Sequence, residues 1–159
     1  MRIGLISDTH GLLRPQVFDI FVGVELILHG GDVGTVDIIV ELETIAPVHA
    51  VMGNTDSAAL RPRARDEVVL ELEGHRVVLV HGHMLGSPNA ARLRAAYPDA
   101  DVIVYGHTHR QRVDVRDGCT IVNPGAAGAA RFDLKPSVAI LTLERGDAPR
   151  VEHIPIVTR

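Results

Sequence analysis

Apolar residues along this chain come in short runs, and nearly every run ends in a cluster of Gly, Asp, Asn or His. The runs cover residues 2–7, 25–28, 48–52, 76–80, 102–105 and 120–122. Their shortness and β-branched content predict buried strands. Helical spacing appears between them. Over 35–45, Ile38, Ile39, Leu42 and Ile45 share one side, and 89–97 is rich in Ala, Leu and Arg. Thr35 is placed as an N-cap with Asp37 in the first turn. The later chain reads as hairpins. Residues 68–72 and 76–80 join through Glu73-Gly74-His75, 113–116 and 119–122 flank Asp117-Gly118, and 138–143 and 151–156 flank Arg145-Gly146-Asp147. Strand–helix alternation followed by hairpins predicts an α/β protein with mixed sheets covered by helices. No repeat, low-complexity stretch or linker interrupts the pattern, so one domain over 1–159 is expected.

Composition narrows the classes of function. A chain of 159 residues with 46% hydrophobic and 23% charged residues can bury a sizeable core. A net charge of −4 offers no basic surface for nucleic acid or anionic lipid. Aromatics are 3% of the chain and Trp is absent, which argues against base-stacking platforms. The one cysteine, Cys119, excludes an internal disulfide and fits a reducing compartment. Its apolar neighbours predict a buried, inert thiol. No signal-peptide pattern opens the chain, and no apolar stretch approaches the ~20 residues of a membrane span. A cytoplasmic location without membrane or nucleic-acid partners is expected, with room for a homo-oligomer.

The residues that can do chemistry stand just past the ends of the runs. Asp8 and His10 follow the first, Asp32 the second and Asn54 the third; His81 and His83 follow the run ending at Val80, and His107 and His109 the run ending at Tyr105. Ligands in open α/β sheets bind beyond the carboxyl ends of strands, so these groups can converge on one mouth. Gly31, Gly53, Gly82 and Gly106 stand beside them and allow close backbone approach. Each residue alone has a plainer reading, Asp8 as a helix cap or Asn54 as a turn residue. Their recurrence at successive strand ends favours a metal centre. Three carboxylates (Asp8, Asp32, Asp56) brought together would repel unless cations intervened. With some seven donors one ion is over-supplied, whereas two ions about 3.5–4 Å apart sharing a carboxylate are not. Asp32 is the candidate shared ligand, because it stands alone at its strand end. An N/O donor set without thiolate leaves Mn, Fe, Co, Ni and Zn open.

Asp8-x-His10, Gly31-Asp32, Gly53-Asn54, His81 and Gly106-His107-Thr108-His109, in that order, resemble the calcineurin-like metallophosphoesterase superfamily. Gly53-Asn54-Thr55-Asp56, Asn123-Pro124-Gly125 and the short length look most like its small bacterial and archaeal phosphodiesterase branch. The resemblance runs from residue 3 to about 126. It implies a four-layer αββα sandwich, two mixed β-sheets with helices outside. It also implies that Asp8, His10, Asp32 and His109 hold one metal and Asp32, Asn54, His81 and His107 a second. Two divalent ions are then expected, Mn first, with a bridging hydroxide attacking a small phosphate ester in line. One departure stands out. Many members carry His after the Asn of Gly-Asn, where this chain has Thr55, whose hydroxyl cannot protonate a leaving group at neutral pH. His83 is then the nearest proton donor or substrate contact, and Asp56 a candidate partner holding His10 or His81 in the right tautomer.

Other residues stay open at this point. His29 is balanced between support of the site and simple packing, while His49, His75 and His153 read as structural or exposed. Arg131 fits a bidentate phosphate contact or a solvated surface equally well. Asn123-Pro124-Gly125 reads as a turn closing the rim of the site. The Gly/Ala run at 125–130 lacks the Lys of a phosphate loop. The alternative function is a protein-binding scaffold on the same fold, like the retromer subunit this chain resembles in size. A complete donor set argues for the enzyme, and the acidic balance argues against a nuclease.

Overall fold

The layering follows from the alternation along β1 (Arg2–Ile6) in the structure, a computed structural model that describes residues 1–131 and 133–157. Ile3 and Leu5 face one way, into a cluster with Leu28, Val77, Leu79, Val104 and Val122. Ile6 faces the other way, among Val17, Phe21, Ile38 and Ile39. Between them Gly4 lies flat beneath the Phe21 ring, 3.0 Å from where a Cβ would stand. β1 is therefore buried on both faces, which is why its run shows no polar alternation.

Two sheets result. The first has the order β11 (Arg150–Pro155), β10 (Ser137–Thr142), β1, β2 (Leu26–His29), β3 (Val48–Val51) and β4 (Ala64–Arg65). β1 to β4 run parallel, and β10 and β11 close one side antiparallel. The second has the order β5 (Glu67–Leu72), β6 (His75–Val80), β7 (Val102–Val104), β9 (Cys119–Asn123) and β8 (Arg112–Arg116). β6, β7 and β9 are parallel there. α1 (Gln16–Ile20) and α2 (Val36–Leu42) cover the outer face of the first sheet. α3 (Ala90–Ala96) covers the second through Leu93, packed with Val78, Ile103, Cys119 and Ile121. This is the expected four-layer sandwich of two mixed sheets with helices outside. No helix of the described residues is long and apolar enough to cross a membrane.

All three expected hairpins form. Three details differ. α1 was not visible in the sequence, because five residues are too few to display a 3.6-residue period. α2 is shorter than the 35–45 pattern, and Thr35 has the extended backbone of an N-cap but makes no side-chain capping bond. Asn89 does cap α3, accepting from the Arg92 N–H at 2.9 Å. The decisive consequence is positional: β1, β2, β3, β6, β7 and β9 all end at one edge of the sandwich.

Candidate metal centre

The loops leaving those strand ends are held in an uncommon conformation. Asp8, His10, Asp32, His107 and His109 have φ of 53°, 47°, 52°, 73° and 64°, the left-handed region that L side chains avoid by about 1–2 kcal/mol each. Backbone bonds between loops enforce it. Asp8 N–H donates to Gly31 O (2.9 Å), His10 N–H to Asp32 O (2.9 Å) and Gly11 N–H to Val33 O (2.8 Å), lacing the β1 loop to the β2 loop. Ala127 N–H donates to Ser7 O (2.9 Å) and Gly128 N–H to Asp8 O (3.3 Å). The small-residue run thus lies under the β1 loop, and a Cβ at Gly128 would come 2.3 Å from Thr9 O. Strain concentrated in the donor residues themselves is a mark of a functional site.

The side chains form two touching groups. Asp8 Oδ2 is taken by Ser7 Oγ–H (2.6 Å) and His107 N–H (3.2 Å). That leaves Asp8 Oδ1 aimed inward, 3.3 Å from His109 Nε2 and 4.0 Å from His10 Nε2. Asp32 Oδ1 accepts from Thr55 N–H (2.9 Å), and its Oδ2 lies 3.7 Å from His10 Nε2 and 3.3 Å from His81 Nε2. Asn54 Oδ1 completes the second group, 3.0 Å from His81 Nε2 and 3.1 Å from His107 Nδ1. One donor atom each from Asp8, His10 and His109 can be chosen with all three within 4.8 Å of one another, and likewise from Asp8, Asp32 and His81.

These donors fit divalent cations. Asp8 Oδ1 and His10 Nε2 are buried without a hydrogen-bond partner among the described residues, a costly state unless an ion satisfies them. Two carboxylates, Asp8 and Asp32, are almost fully buried side by side. Burial would raise the Asp32 carboxyl, but the bonds from His81 and Thr55 outweigh it and hold Asp32 well below the ordinary carboxylate range. His81 is opposed by burial, yet Asp32 and Asp8 lift it above its usual value. His81 Nδ1 is tied to Gly30 O at 2.7 Å, so that nitrogen carries the hydrogen and Nε2 turns toward Asp32 and Asn54.

The structure brings Asp8, His10, Asp32, Asn54, His81, His107 and His109 into this one cluster. His83 borders it at the start of a 3₁₀ turn, its ring 5.3 Å from that of His81 and 6.4 Å from that of His107. Burial and the charges of His81 and His107 push its pKa down. The expectation that Asp56 orients His10 or His81 is corrected. Its carboxylate accepts instead from the N–H groups of Gly53 (2.9 Å), Gly34 (3.0 Å) and Val33 (3.2 Å), pinning the β3 loop to the β2 loop. Three backbone N–H groups occupy the carboxylate there, leaving no role for an imidazole.

His29 supports the site. Wholly buried, it accepts from Gly31 N–H at Nδ1 (3.1 Å) and so donates from Nε2 to Thr9 Oγ1 (3.0 Å), whose own hydrogen goes to Val33 O (2.7 Å). Burial lowers its pKa to about 4, against the pull of Asp8 and Asp56. Asn123 clamps the β7 loop: its Nδ2 donates to Gly106 O (3.1 Å) and Thr108 Oγ1 (3.0 Å), and its Oδ1 accepts from Gly125 N–H (2.9 Å). Ser7 was missed in the sequence, being one more residue of a buried strand. Cys119 is buried with its thiol pushed up by burial, as an inert core residue.

The model of the calcineurin-like phosphoesterase superfamily domain matches residues 1–146 of this chain. The chain belongs to that superfamily. A probable metallophosphoesterase of Methanothermobacter thermautotrophicus is 39% identical over 91% of this chain and 87% of its own length. A phosphodiesterase of Methanocaldococcus jannaschii is 28% identical over 91% of this chain and 95% of its own. Among solved structures, a novel archaeal phosphodiesterase superposes with a TM-score of 0.80 at 26% identity, covering 98% of this chain and 100% of that one. Vacuolar protein sorting 29 of Cryptosporidium parvum shares the fold with a TM-score of 0.81 at 23% identity, over 99% and 98% of the two chains. As a member of the superfamily the chain is a metal-dependent phosphoesterase, and the clustered donors are its candidate metal site.

Proposed function

We propose that this calcineurin-like phosphoesterase is a phosphodiesterase that binds two divalent ions, Mn²⁺ foremost, and hydrolyses a small phosphate diester. One observation carries the reading: a single oxygen, Asp32 Oδ2, stands between His10 Nε2 and His81 Nε2, at 3.7 and 3.3 Å. A carboxylate so placed suits a ligand shared by two ions. Asp8, His10, Asp32 and His109 would hold the first, and Asp32, Asn54, His81 and His107 the second. When bound, the ions supply a nucleophile at neutral pH and neutralise charge developing on the phosphoryl oxygens.

The chain's own groups do the rest. Ser7 and the His107 N–H hold Asp8 so that one oxygen faces the centre. Thr55 contributes its backbone N–H to Asp32 while its side chain stays exposed, so no imidazole reaches the substrate from that position. His83 stands at the rim with Nδ1 buried and unpartnered among the described residues, and it takes the role of leaving-group contact or proton donor.

A second reading, a protein-binding scaffold, is favoured by the fold likeness to vacuolar protein sorting 29. Wild-type Vps29 of Entamoeba histolytica, of the same fold, was solved with Zn²⁺, so metal binding alone does not separate the readings. Turnover does. Chelator-stripped protein is expected to hydrolyse bis(p-nitrophenyl) phosphate only after Mn²⁺ is restored, and Asp32→Asn to lose that activity. Folded protein inactive with Mn²⁺, Ni²⁺, Co²⁺ and Zn²⁺ would move the weight to the scaffold.

A further inference from the structure

A sizeable cavity lies beside the clustered donors. It starts at Thr108 and His109 on one flank and runs outward past Tyr105, Arg110 and Lys135, with a volume of about 640 Å³. A second cavity of about 240 Å³ shares Thr108, His109, Arg110 and Leu134 with it, and adds His107 on one side and Arg131 on the other. With four lining residues in common, the two lie side by side against His109 as one trough. Its volume is that of a site for a drug-sized organic molecule, far beyond the needs of a phosphoryl group alone.

The charge of this trough departs from that of the protein. The chain carries −4 overall, yet Arg110, Arg131 and Lys135 meet here against one lining carboxylate, Asp133. Arg112 also lines it, but its guanidinium is occupied by Asp114 at 2.8 and 3.4 Å. No ion pair among the described residues engages Arg110, Arg131 or Lys135. Nor is Arg110 on a loose tip. Its N–H donates to Thr108 Oγ1 (3.4 Å), and that hydroxyl is held by Asn123 (3.0 Å), so the residue next to His109 is presented by a braced turn. Cations left without partners beside a reaction centre, in an acidic protein, concentrate anionic substrates there.

Resting on the phosphodiesterase reading, we infer that the trough binds the organic part of the substrate and that this part carries a second anionic group, a phosphate or a carboxylate, met by Arg110 with Lys135 and Arg131. The preferred substrate is thus an ester with one phosphodiester at the donor cluster and another anion a few atoms away. Guanidinium bonds to such an anion are charge-assisted and worth roughly tenfold or more in binding.

The test uses three diesters that share a p-nitrophenolate leaving group. Their other arm is propyl, propyl ending in a carboxylate, or propyl ending in a phosphate. Each is assayed as kcat/KM with the Mn²⁺-restored full chain at low salt, in the wild type and in Arg110→Gln/Lys135→Gln. The wild type is expected to prefer at least one anionic arm over propyl by about tenfold or more. That ratio should collapse toward one in the double variant and shrink in high salt. Which arm wins identifies the anion. Turnover of all three without preference, or a preference that survives in the double variant, overturns the inference while leaving the phosphodiesterase standing. No turnover of any diester by folded, metal-loaded protein overturns both.

Discussion

Gly53→Ala tests whether the site depends on backbone approach as much as on its donors. Gly53 packs directly on Asp32: a Cβ there would fall 2.0 Å from Asp32 Oδ1, 2.2 Å from Asp32 N and 2.6 Å from Asp32 Cγ. Ordinary contact begins near 3.4 Å, so the shortfall against Asp32 N alone exceeds an ångström. Rotating the carboxylate relieves the first clash but not the second, which is with backbone. The β2 and β3 loops must therefore separate, although Asp56 binds the Val33 and Gly34 N–H groups and Thr55 N–H binds Asp32 Oδ1, holding them together. Overpacking of this kind costs about 1–3 kcal/mol of stability. Displacing reacting groups by ~1 Å costs about 100-fold in rate. The variant should melt several degrees lower, remain folded at 25 °C, and turn over bis(p-nitrophenyl) phosphate roughly 100-fold more slowly at saturating Mn²⁺, although it removes no donor. Activity within threefold of wild type would show that the loops tolerate the shift and would refute this reasoning.

His29 gives a prediction in pH. Its folded pKa of about 4 lies below the ordinary 6.5, so from pH 6.5 down to 4 the unfolded chain takes up a proton that the native state refuses. Stability should fall across that window by on the order of 3 kcal/mol from this group, and no further below it. Urea unfolding of metal-free protein at pH 7 and 4.5 should show a smaller difference in His29→Asn than in the wild type; equal differences would remove His29 from the account. His83→Ala should slow diesters with alkyl leaving groups more than those with aryl ones if His83 supplies the proton, and equal losses would leave it a binding residue.

The donor set was legible in the sequence because each donor follows an apolar run, and parallel strands deliver all their carboxyl ends to one edge. Asp8 and His10 needed only β1, and His107 and His109 only β7. What the sequence concealed was set by neighbours distant along the chain. Asp56 sits two residues past Asn54, which invited a role beside an imidazole, yet three backbone N–H groups from two loops reach it first. The run at 125–130 lacks the Lys of a phosphate loop, but its small residues let residues 127 and 128 bond beneath Ser7 and Asp8. Net charge misled in a similar way. A balance of −4 suggested no basic surface, while the fold gathers Arg110, Arg131 and Lys135 beside the donors. Helix α1 stayed hidden because Val17, its one buried residue, cannot show a period.

On the proposed function, one chain holds two divalent ions through a shared Asp32 and needs both for turnover. The most direct measurement equilibrates stripped protein with increasing Mn²⁺ and reads bound metal and bis(p-nitrophenyl) phosphate hydrolysis on the same samples. Activity rising only as the second ion per chain binds, with Asp32→Asn holding fewer than two and inactive, is the predicted result. Full activity with a single bound ion, or two ions retained in Asp32→Asn, would contradict the account.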